Sequence, residues 1–145
     1  MSKVKNELKN DPLMPLRHSA EHVLHCVMQR MYPELKKVMG PPIEDGFYFD
    51  FDLEYRVTPE DLLKIEVEMQ KMIGANLPIA RKEVSAEEAN RLFANNSYKL
   101  ENIKEIESRG EKASIYITGD PQNPYYDVDL CAGPHVESTG KIVAF

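Results

Sequence analysis

Tyr125–Gly140 reads YYDVDLCAGPHVESTG. Its first half, YYDVDLC, has strand character. Ala132, Gly133 and Pro134 then allow a tight turn, which delivers His135 four residues after Cys131. A thiol and an imidazole set around a turn at a strand end leave three readings open: a metal clamp, half of a catalytic site, or a loop that holds a Cys and a His for no joint purpose.

The elements around this stretch are legible from periodicity and punctuation. A helix is expected from about Leu16 to Met31, stopping before Pro33. GPPIEDG reads as a turn-rich loop, and FYFDFD, Phe47 to Asp52, as a strand. Thr58 caps the next helix, with Pro59 at its first position and Asp61 completing a capping box. That amphipathic helix ends near Gly74 or Asn76. LPIARKEV is a short strand, Ser85 and Glu88 cap a further helix, and YKLENIKEIE is another. SIYITG, YYDVDLC and GKIVAF complete the strands. No regular βαβ rhythm appears. The expected class is α+β, a mostly antiparallel sheet with helices packed on one face and a pocket between a helix and the sheet. Residues 1–15 read as a lead-in and 16–145 as a single domain.

Composition narrows the function classes. At 145 residues, with 42% hydrophobic and 29% charged residues, the chain suits one soluble globular domain. No apolar run is long enough to span a membrane, and MSKVKNELKNDPLMPL lacks the apolar core of a signal peptide. Two cysteines, Cys26 and Cys131, make no disulfide framework, so a reduced, cytoplasmic setting is expected. A net charge of −6 argues against coating nucleic acid non-specifically, though not against gripping one end of it. Lys36, Lys37, Arg81, Lys82 and Lys99 are the candidate cations for that.

On the first helix, His18, His22, His25 and Gln29 fall on one stripe, with Ala20, Leu24, Val27, Met28 and Met31 roughly opposite. The stripe is either an ordinary solvated face or a set of convergent imidazoles. HSAEH also matches H-x-x-E-H, the pattern of inverted zinc peptidases with Glu21 as base, although no third ligand stands out. His18 and His22 together with Cys131 and His135 make a His₃Cys set suited to tetrahedral Zn²⁺. The opposing reading is a buried structural Cys131 and a satisfied loop His135.

RHSAEHVL, GPPIEDGFYFDFD, SYK and YYDVDLCAGPHVESTGKI, in that order, resemble the editing domain of threonyl-tRNA synthetase, within the family it shares with alanyl-tRNA synthetase. The resemblance covers about Leu16 to Phe145. It implies hydrolysis of mischarged tRNA, with serine on threonine tRNA as the error removed. It implies a pocket holding His18, His22, Lys99, Asp129, Cys131 and His135, with His18 activating or orienting the water. Lys99 would hold that water or stabilise negative charge, Asp129 would bind the substrate's amino group, and His135 would contact the terminal adenosine or the ester. Tyr48 would contact substrate, beside Phe49 where the family often carries a second tyrosine. Zn²⁺ is compatible with the residues and not required by the resemblance. The implied partners are the tRNA acceptor end and a synthetase or its other domains, with no membrane. The length leaves no room for aminoacylation or anticodon-binding domains, so an excised or free-standing editing domain is expected. A metal-dependent peptidase and a non-catalytic tRNA-binding module are the competing functions.

Overall fold

The computed structural model describes residues 11–143. Helix α1, Met14–Met31, starts two residues before the expected Leu16. Pro15 suits the first turn, where a missing N–H costs nothing. The Asp11 carboxylate accepts from the Leu13 amide at 2.9 Å and pairs with Arg17 at 2.7 Å. The helix stops at Met31, ahead of Pro33, as the proline requires.

Four short strands follow: β1 Lys36–Met39, β2 Pro42–Ile43, β3 Gly46–Phe47 and β4 Asp50–Asp52. Helix α2, Pro59–Gly74, opens with the Thr58–Asp61 capping box. Then come β5 Ile79–Val84, α3 Ala86–Leu92, α4 Ser97–Ser108, β6 Ala113–Thr118 and β7 Asp127–Leu130. A short 3₁₀ turn, Thr139–Lys141, closes the described chain. The class is α+β and every strand pairing is antiparallel, divided among a β1–β4 pair, a β2–β3 hairpin and the sheet β5–β6–β7.

The strand period of two organises the larger sheet. Ala113, Ile115 and Ile117 of β6, with Val128 and Leu130 of β7, pack with Ala89 of α3 and Ile103 of α4. The alternate residues face the other way, toward α1: Thr118 reaches His22 and the Tyr116 ring meets His135. The register sets Tyr116 opposite Asp129 and Thr118 opposite Asp127. The second core joins Ala20, Val23, Val27 and Met28 of α1 to Ile65, Met69 and Met72 of α2, closed by Leu35, Leu77 and Ile142. Each buried Val, Leu, Ile or Met side chain among them contributes about 1.5–3 kcal/mol relative to exposure.

Three expectations change. FYFDFD is not one strand: it is divided between β3 and β4, which pair with β2 and β1, and GPPIEDG supplies half of the β2–β3 hairpin. Local alternation registers neither the change of partner nor the inward turn of β1. Through its described residues, GKIVAF is not a strand either. The Leu77 amide donates to the Thr139 hydroxyl at 2.8 Å, and that hydroxyl donates to the Met72 carbonyl at 2.9 Å, which turns the chain onto the end of α2. Residues 144–145 of that segment, and 1–10 of the lead-in, lie outside the described residues. Finally, the α1 histidine stripe is not a solvated face, because His22 and His25 are buried.

Gly133 sits at φ 77°, and a Cβ there would collide with the Tyr116 hydroxyl and ring. Gly133→Ala combines that collision with left-handed backbone strain and is expected to destabilise the fold by about 1–3 kcal/mol. Urea denaturation checks this; an unchanged midpoint would show that the turn tolerates a side chain.

Candidate functional site

The site forms where α1 crosses the ends of β6 and β7. His18 Nδ1 lies 3.1 Å from the Pro134 carbonyl oxygen. A carbonyl only accepts, so Nδ1 carries the proton and Nε2 presents its lone pair. Cys131 Sγ lies 3.3 Å from His18 Nε2 and 3.3 Å from His135 Nε2. The Gly133 amide donates to the same sulfur at 3.3 Å. His135 Nδ1 is 3.0 Å from the Ser19 hydroxyl, and the two imidazoles stack with centroids 4.2 Å apart. Three of the expected residues, from positions over a hundred apart in sequence, therefore converge.

Burial sets their protonation. It lowers His18 to about 4, with the Lys37 cation adding to the effect. It lowers His135 to about 2, helped by the neighbouring His22 and His18. The Cys131 thiol is pushed up to about 11, again chiefly by burial. At neutral pH the group is two neutral imidazoles and a protonated thiol, so Cys131 is a poor nucleophile.

Beneath this group lies an ion network. Lys99, expected in the pocket, is buried with Nζ 3.0 Å from Asp129 Oδ1 and donating to the Leu130 carbonyl at 3.4 Å. Lys37 Nζ lies 3.0 Å from Asp129 Oδ2 and 3.0 Å from Glu21 Oε1. Burial alone would raise the Asp129 carboxyl, but Lys37 and then Lys99 outweigh it and hold the group well below the usual carboxylate range. Burial would lower Lys37, yet Asp129 and Glu21 reverse that and raise it. Glu21 is raised by its own burial, against the pull of Lys37.

A cavity of about 270 Å³ opens above the network, lined by His18, Lys37, Lys99, Asn102, Cys131 and Gly133 among others. Tyr48 stands near its rim, exposed, with its amide donating to the Pro41 carbonyl at 3.3 Å. Phe49 lies farther along, its ring 5.7 Å from that of His25.

The four-residue His₃Cys set is not reproduced as one group. His18, Cys131 and His135 have ligand atoms mutually within 4.8 Å, whereas His22 groups with His25 and Asp127. The His22 Nε2 atom is engaged by the Thr118 hydroxyl at 2.7 Å. The H-x-x-E-H reading loses its geometry for the same reason, since His18 and His22 belong to different groups and Glu21 is paired with Lys37.

Lys37 and Glu21 are the residues that sequence reasoning misjudged. Lys37 reads in the sequence as one of several candidate nucleic-acid contacts, and Glu21 only as the base of the competing peptidase reading. Two signals bear on them: Glu21 sits on a helix buried nearly all round, and the strand period makes adjacent Lys36 and Lys37 face opposite ways.

Residues 113–145 match the family model described as threonyl and alanyl tRNA synthetase second additional domain. Asp129, Cys131 and His135 lie inside that match. Threonine–tRNA ligases align over nearly the whole chain. That of Rubrobacter xylanophilus is 46% identical over 133 residues, 92% of this chain and 20% of that protein. That of Thermotoga sp. strain RQ2 is 49% identical over 140 residues, 93% and 21%. The chain belongs to the second additional domain family of the threonyl and alanyl tRNA synthetases. Threonine–tRNA ligase 1 of Bacillus subtilis is 48% identical over 141 residues, 96% of this chain and 21% of that protein. This second additional domain thus spans about a fifth of the length of the curated relatives it matches. Among its described residues no helix is long and apolar enough to cross a membrane.

Lys37→Met strands Asp129 with one cation and Glu21 with none. The expected loss is about 3–5 kcal/mol of stability. Adding Glu21→Gln should restore part of it, measured by chemical denaturation. Additive losses would contradict the coupling.

Proposed function

We propose that the chain removes serine wrongly esterified to threonine tRNA, as an aminoacyl-tRNA deacylase, with residues 16–145 working as one editing unit. The observation that supports this best is the cavity walled by His18 and Cys131 and floored by Lys99, in a chain of this family. The partner would be the acceptor end of the tRNA, presented by a synthetase or its other domains, in the cytoplasm. Serine lacks one methyl of threonine, a difference worth only about 1–3 kcal/mol to a binding pocket, so a second sieve is needed.

The reaction is ester hydrolysis. Water oxygen bonds to the ester carbonyl carbon, and the bond from that carbon to the terminal ribose oxygen breaks. The ribose oxygen leaves protonated, serine leaves as carboxylate, and the remaining proton goes to solvent. His18 Nε2 accepts a hydrogen bond from the attacking water. With its pKa lowered to about 4, the imidazole orients that water rather than stripping its proton outright. Lys99 has three ammonium protons, two of them committed to Asp129 and the Leu130 carbonyl. The third is free for the oxygen that becomes negative in the transition state. Asp129 belongs to the set by fixing that ammonium; with both its oxygens engaged, it does so more readily than it would reach a substrate amine. Cys131 and His135 shape the wall beside the water, His135 toward the terminal adenosine. Tyr48 flanks the entrance, and Phe49 keeps the neighbouring surface apolar.

The donor set of His18, Cys131 and His135 also fits Zn²⁺. Their 3.3 Å sulfur–nitrogen separations are near the edge of about 3.5 Å expected for a tetrahedral site with Zn–S about 2.3 Å and Zn–N about 2.0 Å. Behind them, the Pro134 carbonyl and Ser19 hydroxyl orient the two rings. Those three residues would hold the ion, which would supply Lewis acidity toward a water or carbonyl.

Purified chain should release serine from Ser-tRNA(Thr) well above the uncatalysed rate, leaving Thr-tRNA(Thr) and Ala-tRNA largely intact. Lys99→Ala and His18→Ala should each lower the rate by about 10²-fold or more. Turnover of none of these substrates by folded protein would sink the proposal. Binding of tRNA without turnover, indifferent to both substitutions, would identify a binding module instead.

A further inference from the structure

We propose that His22, His25 and Asp127 form a second site, which binds a divalent transition-metal cation of the zinc class. It is distinct from the His18–Cys131–His135 group and shares no residue with it.

The fold assembles the donors by two independent periodicities. His22 and His25 are one helical turn apart on α1, so their rings leave the same face. Asp127 begins β7 on the face of the sheet that α1 covers, opposite Thr118 in register. One donor atom from each of the three lies within 4.8 Å of the others. A bound cation would take the His22 Nε2 lone pair from the Thr118 hydroxyl, which lies 2.7 Å away. His22 Nε2 and Asp127 Oδ2 are 3.7 Å apart. That is too long for a hydrogen bond, and close to the edge of about 3.4 Å between nitrogen and oxygen ligands of one tetrahedral zinc.

The chemistry of the surroundings points the same way. Among the described residues, His22 Nδ1, His25 Nδ1 and Asp127 Oδ2 are buried without a hydrogen-bond partner. His22 is 1% and His25 5% exposed, and each orphaned Nδ1 faces Asp129 Oδ2, at 3.8 and 3.6 Å, too far for a hydrogen bond. Such atoms are costly unless something satisfies them. Formal charge favours a cation: Glu21, Asp127 and Asp129 stand against Lys37 and Lys99, one negative charge in excess. Imidazole and carboxylate donors suit Zn²⁺. An entry path exists, because a cavity of about 490 Å³ is lined by His25 and Asp127 and opens on the side of the lysine network away from Cys131.

Zn²⁺ itself is the probe. The whole chain carrying Cys131→Ser, which removes the sulfur of the other group, is stripped with chelator and titrated with Zn²⁺ by calorimetry. One zinc per chain is expected, with a Kd in the micromolar range or tighter. Asp127→Asn, isosteric and at a partly exposed position, should weaken binding at least tenfold on this background. His25→Gln should do the same, with helicity followed by circular dichroism. If His25→Gln loses its helicity, Asp127→Asn alone decides. No zinc taken up by the folded Cys131→Ser chain would overturn the proposal. So would a Kd unmoved by Asp127→Asn, since the zinc would then sit elsewhere. This readout is metal binding, so it stands or falls separately from the deacylase activity proposed above.

Discussion

Asp129 is buried with an ammonium on each carboxylate oxygen, Lys99 on Oδ1 and Lys37 on Oδ2. Desolvating an ion costs several kcal/mol, and only close, well-directed partners offset it. The arrangement is therefore demanding: β7 must present Asp129 inward, β1 must turn Lys37 under α1, and α4 must start where Lys99 can reach. Glu21 completes the balance from α1. Four elements distant in sequence are tied to one another by charges that have nowhere else to go. Gly40 shows how tight the junction is, since a Cβ there would run into the Glu21 carboxylate.

The network also divides the interior. On one side, His18 and Cys131 wall the smaller cavity; on the other, His25 and Asp127 line the larger. Lys37 and Lys99 border both. The α1 histidines are distributed accordingly, His18 to the first compartment and His25 to the second, with the His22 ring 5.1 Å from that of His135 at the boundary. One helix face thus serves two sets of donors. The alternation of DVDLC explains the strand's share: Val128 and Leu130 pack against the helices of one core, while Asp127 and Asp129 turn to α1 and Cys131 follows at the strand end.

Much of this was legible in the sequence. Caps and prolines fixed α1 and α2 to within two residues, because those signals act through local backbone chemistry. The convergence of His18, Cys131 and His135 followed from the motifs and their order. What escaped was non-local. The division of FYFDFD between two partners, and the capture of Thr139, just ahead of GKIVAF, by Met72 and Leu77, depend on residues far away in the chain. The burial of His25 and Lys37 escaped for the same reason. A polar side chain carries no local mark of being paired inside, and only Asp129 and Glu21, brought in by other elements, make those positions tolerable.

The most direct test of this account is single-turnover deacylation of Ser-tRNA(Thr) by Asp129→Asn, with fold and tRNA affinity measured in parallel. An amide keeps the shape but releases the two ammonium groups from a shared negative charge. The rate should fall by about 10²-fold, as expected when a stabilising group is misplaced by an ångström, while tRNA binding persists. A folded Asp129→Asn protein that turns over at the wild-type rate would contradict the claim that this buried carboxylate sets the position of Lys99.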